Sequence, residues 1–544
     1  MDPAKTTAYL VGGGIASLAA AAHLIQDAHV PGNQIHILES GPLPGGSMDG
    51  GGNPDTGYVL RGGRMLNFSY LCTYDLLSRI ASLTDAEKSV KDELDEFNAV
   101  PGNKTDAHAR LVGRGIDGPE IVDVSHMGLD AKQRLDLIRV ATTSEKHLGE
   151  KRIDGCFDAE FFRTNFWYMW DTMFAFQPWH SAVEFKRYLH RFIQEFPRIN
   201  TLAGVDRTPY NQYDSIILPI ETYLKAQGVH FQYDTKVTSI SFFPPESHPQ
   251  MTVSEIHYYA PTHGDHALIH IQKDDLVFLT LGSMTSCSSL GTNSTSPSPL
   301  PTPAESLTSP DGTWRLWSSL ADPKVNPHHF SKFGNPSNFY SRVSESNWLS
   351  FTVTLKNGEF LKRLEGWTGN AAGTGALITF KDSAWLMSIV VPHQPHFLNQ
   401  APGTEVFWGY GLFPNKVGEF IGKTMAACTG EEIFTELLHH LDFPLEPTLS
   451  TSLTVPCMMP YITSQFLTRK AGDRPDIIPE GSANLALLGQ YVEIPRDTVF
   501  TVEYSIRGAQ IAVSELMGTE MPKEVYLGEH DLVVLLEGMK MLFT

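Results

Sequence analysis

The sequence predicts an α/β fold with a Rossmann-like core that starts at the N-terminus. Residues 7–26 combine a short apolar strand, a glycine-rich turn and an alanine-rich helix. Residues 34–39, QIHILE, then alternate apolar and polar side chains as a second strand does. An acidic residue, Glu39, ends that strand. This order of strand, turn, helix, strand and acid is typical of a dinucleotide-binding βαβ unit.

The glycine turn is the most specific part of this unit. Read as G-x-G-x-x-G, it offers Gly12, Gly14 and, in place of the third glycine, Ser17. Gly12 would make the tight turn, Gly14 would let the backbone approach a pyrophosphate, and Ser17 is small enough for helix–strand packing. Glu39 is placed to accept a hydrogen bond from a ribose hydroxyl. A tight βα turn without any ligand is the competing interpretation of the glycines alone.

Three features favour FAD over NAD as the dinucleotide. The unit stands at the very N-terminus of the sequence. A second glycine cluster, with Gly45 and Gly46, follows Glu39 closely. A late segment, LALLGQYVE (485–493), resembles the flavin-contacting strand near the C-terminus of two-dinucleotide-binding-domain flavoproteins. The sequence therefore predicts a flavoprotein core with an inserted substrate-binding domain and a helical C-terminal part.

Composition and length narrow the class of protein further. The 544 residues exceed what one hydrophobic core usually serves, so we expect about two to four domains. A formal net charge of −20 disfavours nucleic acid as a partner. The five cysteines form no C-x-x-C pair, which favours a reducing, cytoplasmic compartment. No apolar run reaches the roughly 18 residues that a membrane span needs.

The domain organisation follows from shifts in residue pattern along the chain. A Ser-, Thr- and Pro-rich stretch at 283–311 has too little apolar content to pack and predicts a mobile loop. The apolar cluster LVVLLEGMKMLF near the C-terminus predicts a docking helix. The predicted FAD-binding domain combines 1–80, 205–300 and 470–515, the substrate-binding or lid regions are 81–204 and 311–469, and the C-terminal tail is 516–544.

Stretches between about residues 8 and 515 resemble the oleate hydratases, FAD-dependent hydratases of fatty-acid double bonds once called myosin-cross-reactive antigens. The resemblance implies addition of water to the cis double bond of a free unsaturated fatty acid, oleate giving 10-hydroxystearate. It also implies FAD, preferably reduced, in a non-redox structural or electrostatic role. The matching stretches are VGGGIASLAAA, IHILES-GPLPGGSMDG, GYVLRGGR, FWYMWDTMFAFQPWHSAVEFKRYLHRF, RTPYNQYDSIILPIETYL, FLTLGSMT, WGYGLFP, PCMMPYITSQFLTRKAGDRP and LLGQYVEIPRDTVFTVEYSIRGAQ.

The resemblance implies two active-site residues that this sequence retains. Tyr188, within KRYLHRF (186–192), would deliver the proton, and Gln212, within YNQY, would line the site near the double bond. From the residues alone, a tyrosine packed in an aromatic cluster and a turn residue capping the helix near Asp214 are the simpler interpretations. A phenol with a pKa near about 10 needs a neighbouring positive charge or reduced flavin to act as the acid.

The sequence departs from the family in the loop Arg61-Gly62-Gly63-Arg64-Met65. Most members have a glutamate in place of Met65, and that glutamate is proposed to activate the water. A thioether cannot take a proton. Either other groups such as Asn67, Ser69 or the loop backbone orient the water, or hydration is weak or lost. The retained Tyr188 and flavin framework favour the first alternative, and the two glycines suit a loop close to the isoalloxazine ring.

A second departure concerns the fatty-acid carboxylate. The family pattern T-x-N-x-x-x-H binds this group, and here it reads Val390, Pro392 and His396. Only His396 matches, so fewer side chains are expected to bind the carboxylate. His393 and His396 without a carboxylate partner do not make a metal site, and no metal is expected. The cofactor-binding residues that we predict are Gly12, Gly14, Ser17, Glu39, Gly45, Gly46, Arg61, Gly62, Gly63, Ser283, Gln490 and Glu493.

Other functions stay open from the sequence. A flavin oxidoreductase, a fatty-acid double-bond isomerase and a non-catalytic fatty-acid-binding flavoprotein each fit the flavin fold. The expected partners are an unsaturated free fatty acid, water and, transiently, a membrane surface. A monomer or weak homodimer is expected, because the N-terminal helical extension that bacterial relatives use for dimer formation is missing here.

Overall fold

The computed structural model describes residues 2–63, 65–260 and 264–528, together with 534, 536–538 and 540. The strands in these ranges form four sheets. In chain order the strands are β1 (Ala8–Val11), β2 (Ile35–Leu38), β3 (Gly50–Asn53), β4 (Gly57–Leu60), β5 (Leu111–Gly115), β6 (Gly118–Ile121), β7 (His230–Gln232), β8 (Lys236–Phe242), β9 (Val253–Ala260), β10 (Asp265–His270), β11 (Leu276–Thr280), β12 (Ser289–Leu290), β13 (Trp348–Leu355), β14 (Leu377–Phe380), β15 (Met387–Val390), β16 (Glu405–Gly411), β17 (Ser452–Met459) and β18 (Leu485–Leu488).

The α-helices lie mostly between the strands and cover the sheets. A π-helical turn, Tyr213–Ile217, leads directly into one of them. In chain order the helices are α1 (Ile15–Gln26), α2 (Leu71–Leu77), α3 (Val90–Ala99), α4 (Ala131–Thr142), α5 (Glu145–Leu148), α6 (Asn165–Phe174), α7 (Ala182–Arg191), α8 (Leu218–Ala226), α9 (Pro303–Ser306), α10 (Thr313–Leu320), α11 (Ser337–Tyr340), α12 (Val343–Ser346), α13 (Glu359–Thr368), α14 (Gly430–Leu441) and α15 (Val502–Met517).

A five-stranded parallel sheet forms the core of the first domain. Its order is β18-β11-β1-β2-β7, and every neighbouring pair is parallel. The central strands are almost wholly apolar and buried, as strands covered on both faces must be. Helix α1, whose alanines are completely buried, packs against this sheet. The predicted strand, turn, helix and second strand at the N-terminus are confirmed.

A mixed eight-stranded sheet forms the second domain, in the order β12-β17-β13-β16-β15-β14-β5-β6. Helices α13 and α14 pack their apolar faces on it around Phe351, Phe407 and Phe434. The hairpin β3–β4 docks on β13, where Tyr58 N donates to Thr354 Oγ1 at 2.9 Å and Leu60 N to Thr352 Oγ1 at 3.0 Å. This docking carries the loop that follows β4 to the second sheet. The strands β8, β9 and β10 make a small antiparallel sheet beside the first domain.

The segment 283–311, predicted to be a mobile loop, is packed in the structure, through hydrogen bonds and through a few apolar side chains, of which Met284 is buried and Leu300 and Leu307 pack against the cores. Strand β12 pairs with β17, matching Leu290 with Cys457. Gly291 N donates to Pro456 O at 2.8 Å, and Ser306 is fully buried with its hydroxyl bonded to Tyr461. A sheet edge supplies main-chain hydrogen-bond partners to a largely polar segment. Composition alone does not reveal such an edge.

The predicted domain boundary at residue 311 also needs correction. Helix α10 packs its tryptophans against the segment that follows β18. Trp314 and Trp317 lie 5.2 and 5.7 Å from Tyr491, measured between ring centroids. All three side chains belong to the core of the first domain, so residues of α10 belong with that domain rather than with the substrate region.

The described part of the C-terminal tail lies along α7. Arg191 Nη1 donates to Tyr526 O at 2.8 Å, and the Tyr526 ring lies 5.3 Å from that of Phe68. Most of the predicted docking helix lies outside the described residues. No helix within the described ranges is long and apolar enough to cross a membrane.

A buried cluster of ion pairs joins α7 to the segment after β18. Arg187 Nη2 lies 2.8 Å from carboxylate oxygens of both Glu145 and Glu493. Arg474, which is completely buried, lies 3.1 Å from Glu184, also completely buried. Burial raises the pKa of Glu493, but the guanidinium groups, that of Arg187 first, hold it below its ordinary value. The cluster therefore stays ionised and fixes α7 against the first domain.

We predict that Arg474→Ala destabilises the protein strongly, because it removes from the buried Glu184 one of the two arginines, Arg474 and Arg469, that pair with it among the described residues. Removing one partner of a buried pair costs about 3–5 kcal/mol of unfolding free energy. Urea unfolding followed by circular dichroism measures the loss. The control is Lys88→Ala, which breaks the exposed pair with Glu96 and should leave the transition in place. Equal transitions for the two variants would contradict this account.

Candidate active site

A cleft of about 510 Å³ opens at the carboxyl ends of the parallel strands, where ligands bind in sheets of this type. Four neighbouring strands contribute the loops that follow them. The glycine turn follows β1, Glu39 follows β2, Ser283 follows β11 and Gln490 follows β18. Of the predicted cofactor-binding residues, those that line this cleft are Gly12, Gly14, Glu39, Gly45, Gly46, Arg61, Ser283 and Gln490.

The glycine turn has the geometry that a pyrophosphate requires. Gly12 has a φ of +93°, and a Cβ added to it would lie 3.3 Å from the side chain of Thr280. A Cβ on Gly14 would meet no atom within 4 Å, so this residue faces open cleft. Ser17 does not line the cleft. It is buried, with its Oγ 3.2 Å from Thr280 Oγ1, and joins α1 to β11 as its predicted packing role requires.

The carboxylate of Glu39 reaches across the mouth of the glycine turn. It accepts a hydrogen bond from Gly13 N at 2.5 Å and one from Gly41 N at 2.6 Å. The second glycine cluster lies against the turn, where Gly45 N donates to Gly13 O at 2.9 Å. Gly45 and Gly46 both have positive φ, at +120° and +58°. These contacts close the cleft around the position predicted for ribose and pyrophosphate.

Two predicted cofactor residues at the C-terminal end have other contacts. Glu493 lies outside the cleft, since its carboxylate pairs with Arg187 and Arg469 in the buried ion cluster. The structure therefore does not place Glu493 with the other predicted cofactor-binding residues. Gln490 lines the cleft, but its amide donates to Thr501 O at 3.0 Å and accepts from Phe500 N at 2.5 Å. Its side chain holds the loop that forms the cleft wall.

An apolar cavity of about 110 Å³ adjoins this cleft and contains Tyr188. Arg61 and Ser47 line both spaces, so the cleft leads into the cavity at these two residues. Gly62 and Gly63 line the cavity rather than the cleft. We call this space the reaction cavity.

Tyr188 lies on α7 and is almost completely buried. Its hydroxyl donates to Val499 O at 2.5 Å. Phe174 and Phe176 meet its ring edge-on, with centroids 4.9 and 5.0 Å away. Tyr188 is thus packed in an aromatic cluster and also lines the reaction cavity, and its delivery of a proton stays a prediction.

Met65 lines the reaction cavity, whereas Asn67 does not. Asn67 lies beside a separate cavity of about 40 Å³, which it shares with Met65. Its Nδ2 donates to Glu195 Oε1 at 2.8 Å and to Gly204 O at 3.1 Å, and its Oδ1 accepts from Ser69 Oγ at 2.7 Å. With both amide atoms used in the structure, the predicted role of Asn67 and Ser69 in orienting the water is not supported.

Gln212 and His396 line a third space of about 30 Å³ with Val390 and Pro392. Gly63, Val390 and Trp408 line both this space and the reaction cavity, so the two adjoin. We call the third space the end cavity. The structure therefore brings three of the predicted substrate residues together, and it places Gln212 with them rather than beside Tyr188.

Gln212 does not cap the helix near Asp214. Asn211 does so, accepting from Tyr213 N at 2.9 Å and from Asp214 N at 3.1 Å. The Gln212 side chain is buried, and its Nε2 has no hydrogen-bond partner among the described residues. Burial lowers the pKa of His396 to about 3, with a further contribution from the charge of Arg207, so its imidazole is neutral at pH 7.

The aromatic side chains that line the reaction cavity, Trp348, Trp408 and Tyr410, were not predicted from the sequence. Tyr410 lies 4.9 Å from both Trp348 and Trp408, measured between ring centroids. The indole N–H groups of both tryptophans are buried without a hydrogen-bond partner among the described residues. Trp408 and Tyr410 lie within the quoted stretch WGYGLFP, where alternation along a strand would have placed them on one face.

One group with the spacing of metal ligands occurs in the described residues, namely Glu419, Glu436 and His440. None of them lines the cleft, the reaction cavity or the end cavity. The carboxylate of Glu436 accepts from the backbone N–H groups of Glu419 and Ile421, at 2.8 and 2.7 Å. These contacts give Glu436 a structural role at the start of a turn.

The parallel sheet, glycine turn and cleft define a Rossmann-like core of the dinucleotide-binding class. Two solved structures share this fold. An oxidoreductase from Methanosarcina mazei has a TM-score of 0.53 at 12% identity, with 94% of this chain and 100% of that chain covered. Cyclohexylamine oxidase from Brevibacterium oxydans has a TM-score of 0.51 at 11% identity, with 94% and 99% covered. At these identities the likeness shows the fold alone.

The model of the MCRA family matches residues 5–514, and the chain belongs to this family. It is 38% identical to an oleate hydratase from Streptococcus pyogenes serotype M49, over 95% of this chain and 86% of that protein. It is 34% identical to a linoleate hydratase from Lactiplantibacillus plantarum, over 97% of this chain and 96% of that protein. The family expected from the quoted stretches is confirmed.

We predict that Gly14→Ala weakens binding of the dinucleotide cofactor at least about tenfold without changing the melting temperature of the cofactor-free protein. The added methyl meets no protein atom within 4 Å, but it enters the space that a pyrophosphate needs. Titration with FAD, followed by flavin absorbance, measures the affinity. Gly102→Ala is the control, since its Cβ also meets open space away from the cleft. Wild-type affinity in Gly14→Ala would place the cofactor elsewhere.

Proposed function

We propose that the protein hydrates the cis double bond of a free unsaturated fatty acid, converting oleate to 10-hydroxystearate. The observation that carries the proposal is the phenol of Tyr188, which lines an apolar cavity joined to the glycine-loop cleft. The two curated relatives named as an oleate hydratase and a linoleate hydratase support the same reaction. Fatty acid and water are the substrates.

The cleft fits FAD, as the open face of Gly14 and the volume of about 510 Å³ indicate. Gly12, Gly14, Gly45 and Gly46 would hold the pyrophosphate, and Glu39 the ribose. Gly62 and Gly63, lining the reaction cavity, would lie near the isoalloxazine end. When bound, FAD supplies a structural and electrostatic contribution without net redox change, and the reduced form is the more active.

Hydration adds a proton to one carbon of the double bond and a hydroxyl to the other. In the proposed reaction the electron pair of the double bond takes the proton of Tyr188, leaving a phenolate. Water then attacks the second carbon. The faces of Trp408 and Tyr410 stabilise the cationic character of that carbon, because an aromatic face attracts positive charge. Apolar walls keep other water away from it.

The proton that the attacking water loses must be accepted by a group other than Met65. We propose that the phenolate of Tyr188 takes it, directly or through a second water, which restores the phenol and balances the reaction. Arg61 places a positive charge in the wall of the same cavity, where it favours the phenolate. Its ion pair with Asp49, at 2.8 Å, holds its guanidinium in that position.

We expect transient contact with a membrane, from which such a substrate comes, and the exposed Phe68 beside Tyr526 supports a contact at that surface. A cytoplasmic location and a monomer or weak homodimer are the accompanying expectations.

Tyr188→Phe should lower the rate of hydration about a hundredfold or more, as the loss of a general acid does. The purified protein, loaded with FAD and reduced anaerobically, is incubated with oleate, and the extract is analysed by mass spectrometry. The expected product is heavier than oleate by the mass of one water. Tyr504→Phe is the matched control, because Tyr504 is also buried and donates to a backbone carbonyl, Val492 O at 2.7 Å.

The same experiment separates the other functions. An isomerised acid of unchanged mass would indicate a double-bond isomerase, and stoichiometric oxidation of the flavin an oxidoreductase. Bound oleate without any product would indicate a fatty-acid-binding protein. Each of these results, or full activity in Tyr188→Phe, would overturn the proposed function.

Met65→Glu should raise the rate of hydration at least about tenfold, because it places a general base in the reaction cavity. Met65→Gln is the control, since an amide of similar size cannot accept the proton. Initial rates with oleate at saturating FAD measure both variants. If the glutamate and glutamine variants have the same rate, acceptance of the proton from water does not limit the reaction.

A further inference from the structure

The segment that follows β12 is rich in serine, threonine and proline, and the proposed reaction makes no use of it. Several hydroxyl residues of the chain directly precede a proline, namely Thr208, Ser296, Ser298, Thr302 and Ser309. A proline restricts the residue before it to an extended backbone. A hydroxyl residue followed by proline is also the sequence that proline-directed protein kinases modify. The surroundings of each hydroxyl therefore decide whether such a kinase can reach it.

Two of these hydroxyls are enclosed by the fold. Ser309 is 4% exposed, and its Oγ donates to Asp311 Oδ1 at 2.7 Å. Thr208 is half-buried in the wall of the end cavity, and its Oγ1 donates to Tyr210 O at 2.5 Å. A kinase needs a hydroxyl that approaches the transferred phosphoryl group in line and gives its proton to the catalytic carboxylate. Ser309 and Thr208 do not meet this need in the folded chain.

Two further hydroxyls are exposed but obstructed. Ser296 precedes Pro297, which is buried, so the proline that a kinase would recognise is covered. Thr302 is held at the start of α9, where its Oγ1 donates to Glu305 Oε2 at 2.8 Å and accepts from Glu305 N at 3.3 Å. The carboxylate of Glu305 would also repel a phosphate on that oxygen.

Ser298 combines an exposed hydroxyl with an exposed proline, Pro299. In the described structure this serine takes part in one hydrogen bond, which its carbonyl oxygen accepts from Ser289 Oγ at 3.4 Å. Residues 296–302 lie in no helix or strand, and the backbone–backbone hydrogen bonds of the described chain do not include residues 296–301. The main chain around Ser298 is therefore available to a groove that binds an extended peptide.

Both ends of this exposed stretch are anchored. On the N-terminal side, Gly291 N donates to Pro456 O at 2.8 Å. On the C-terminal side, Ser306 is fully buried and its hydroxyl is bonded to Tyr461. A segment that is already ordered loses less conformational entropy when it binds a partner. The fold therefore presents Ser298 in an extended, solvent-facing segment.

We propose that Ser298 is a phosphorylation site for a proline-directed serine/threonine kinase. The Oγ of Ser298 attacks the γ-phosphorus of a nucleoside triphosphate, the bond from this phosphorus to the bridging oxygen breaks, and the nucleoside diphosphate leaves. The hydroxyl proton passes to the catalytic carboxylate of the kinase. The phosphate adds a charge of about −1.5 to −2 at pH 7 to the surface of the protein.

The modification leaves the proposed active site open. No residue from 286 to 309 lines the cleft, the reaction cavity or the end cavity. A phosphate on Ser298 therefore changes the charge of the surface beside β12 and does not enter the space for cofactor or fatty acid. The inference is independent of the hydratase reaction, so its test is valid whether or not the protein forms product.

The test incubates the full-length protein, loaded with FAD, with a purified mitogen-activated protein kinase and ATP labelled in the γ-phosphate. The label should be incorporated, and mass spectrometry of the peptides should place it on Ser298. Ser298→Ala should lower the initial rate of incorporation at least about tenfold, because the other candidate hydroxyls are poor substrates. Ser296→Ala is the matched control and should keep the wild-type rate. Absence of label, or label mainly on another of the five residues, would overturn the inference.

A synthetic peptide of residues 292–306 separates the effect of the fold from that of the sequence. If the kinase modifies the peptide but not the folded protein, the fold hides the site and the inference fails. If it modifies neither, the segment is not a kinase substrate and the inference fails as well. Modification of both, with Ser298 as the acceptor in the folded protein, supports it.

Titration with FAD, followed by flavin absorbance, checks the position of the site. The phosphorylated and unmodified proteins should give the same dissociation constant, because residues 286–309 do not line the cleft. Weaker binding of FAD after phosphorylation would contradict the placement of Ser298 away from the cofactor.

Discussion

The arrangement of the active site depends on the buried ion cluster between α7 and the segment after β18. Arg187 and Arg474 join Glu184 on the helix to Glu493 on the segment. Desolvation makes such a cluster a weak source of net stability, but its directional contacts allow one register of helix against sheet. Because Tyr188 follows Arg187 directly, this register fixes the phenol relative to the cleft. A helix held by apolar packing alone would have more freedom to slide.

The three spaces follow one another in a fixed order, and the junction of the two large sheets creates that order. Docking of the β3–β4 hairpin on β13 brings Arg61 to the border of cleft and reaction cavity, and Gly63 to the border of reaction and end cavities. A Cβ on Gly63 would lie 3.6 Å from the ring of Trp408. One short loop therefore contacts every compartment.

Contacts between residues close together in the chain could be predicted from the sequence, whereas contacts between distant residues could not. The turn from Gly12 to Ser17 was predictable because its residues act on neighbours within one βα unit. The hydrogen bonds of Asn67 could not be predicted, because its partners, Glu195 and Gly204, lie more than a hundred residues away. The same holds for Glu493, which pairs with Arg187. The segment at 283–311 pairs with an edge at β17 that is distant in the sequence.

The losses of polar side chains in this chain have a common physical consequence. Met65, Val390 and Pro392 make the reaction and end cavities less polar than the family pattern implies. In a medium of lower effective dielectric constant, each remaining charge acts more strongly on a ligand. The same apolar surroundings favour proton transfer from Tyr188 over exchange with bulk water.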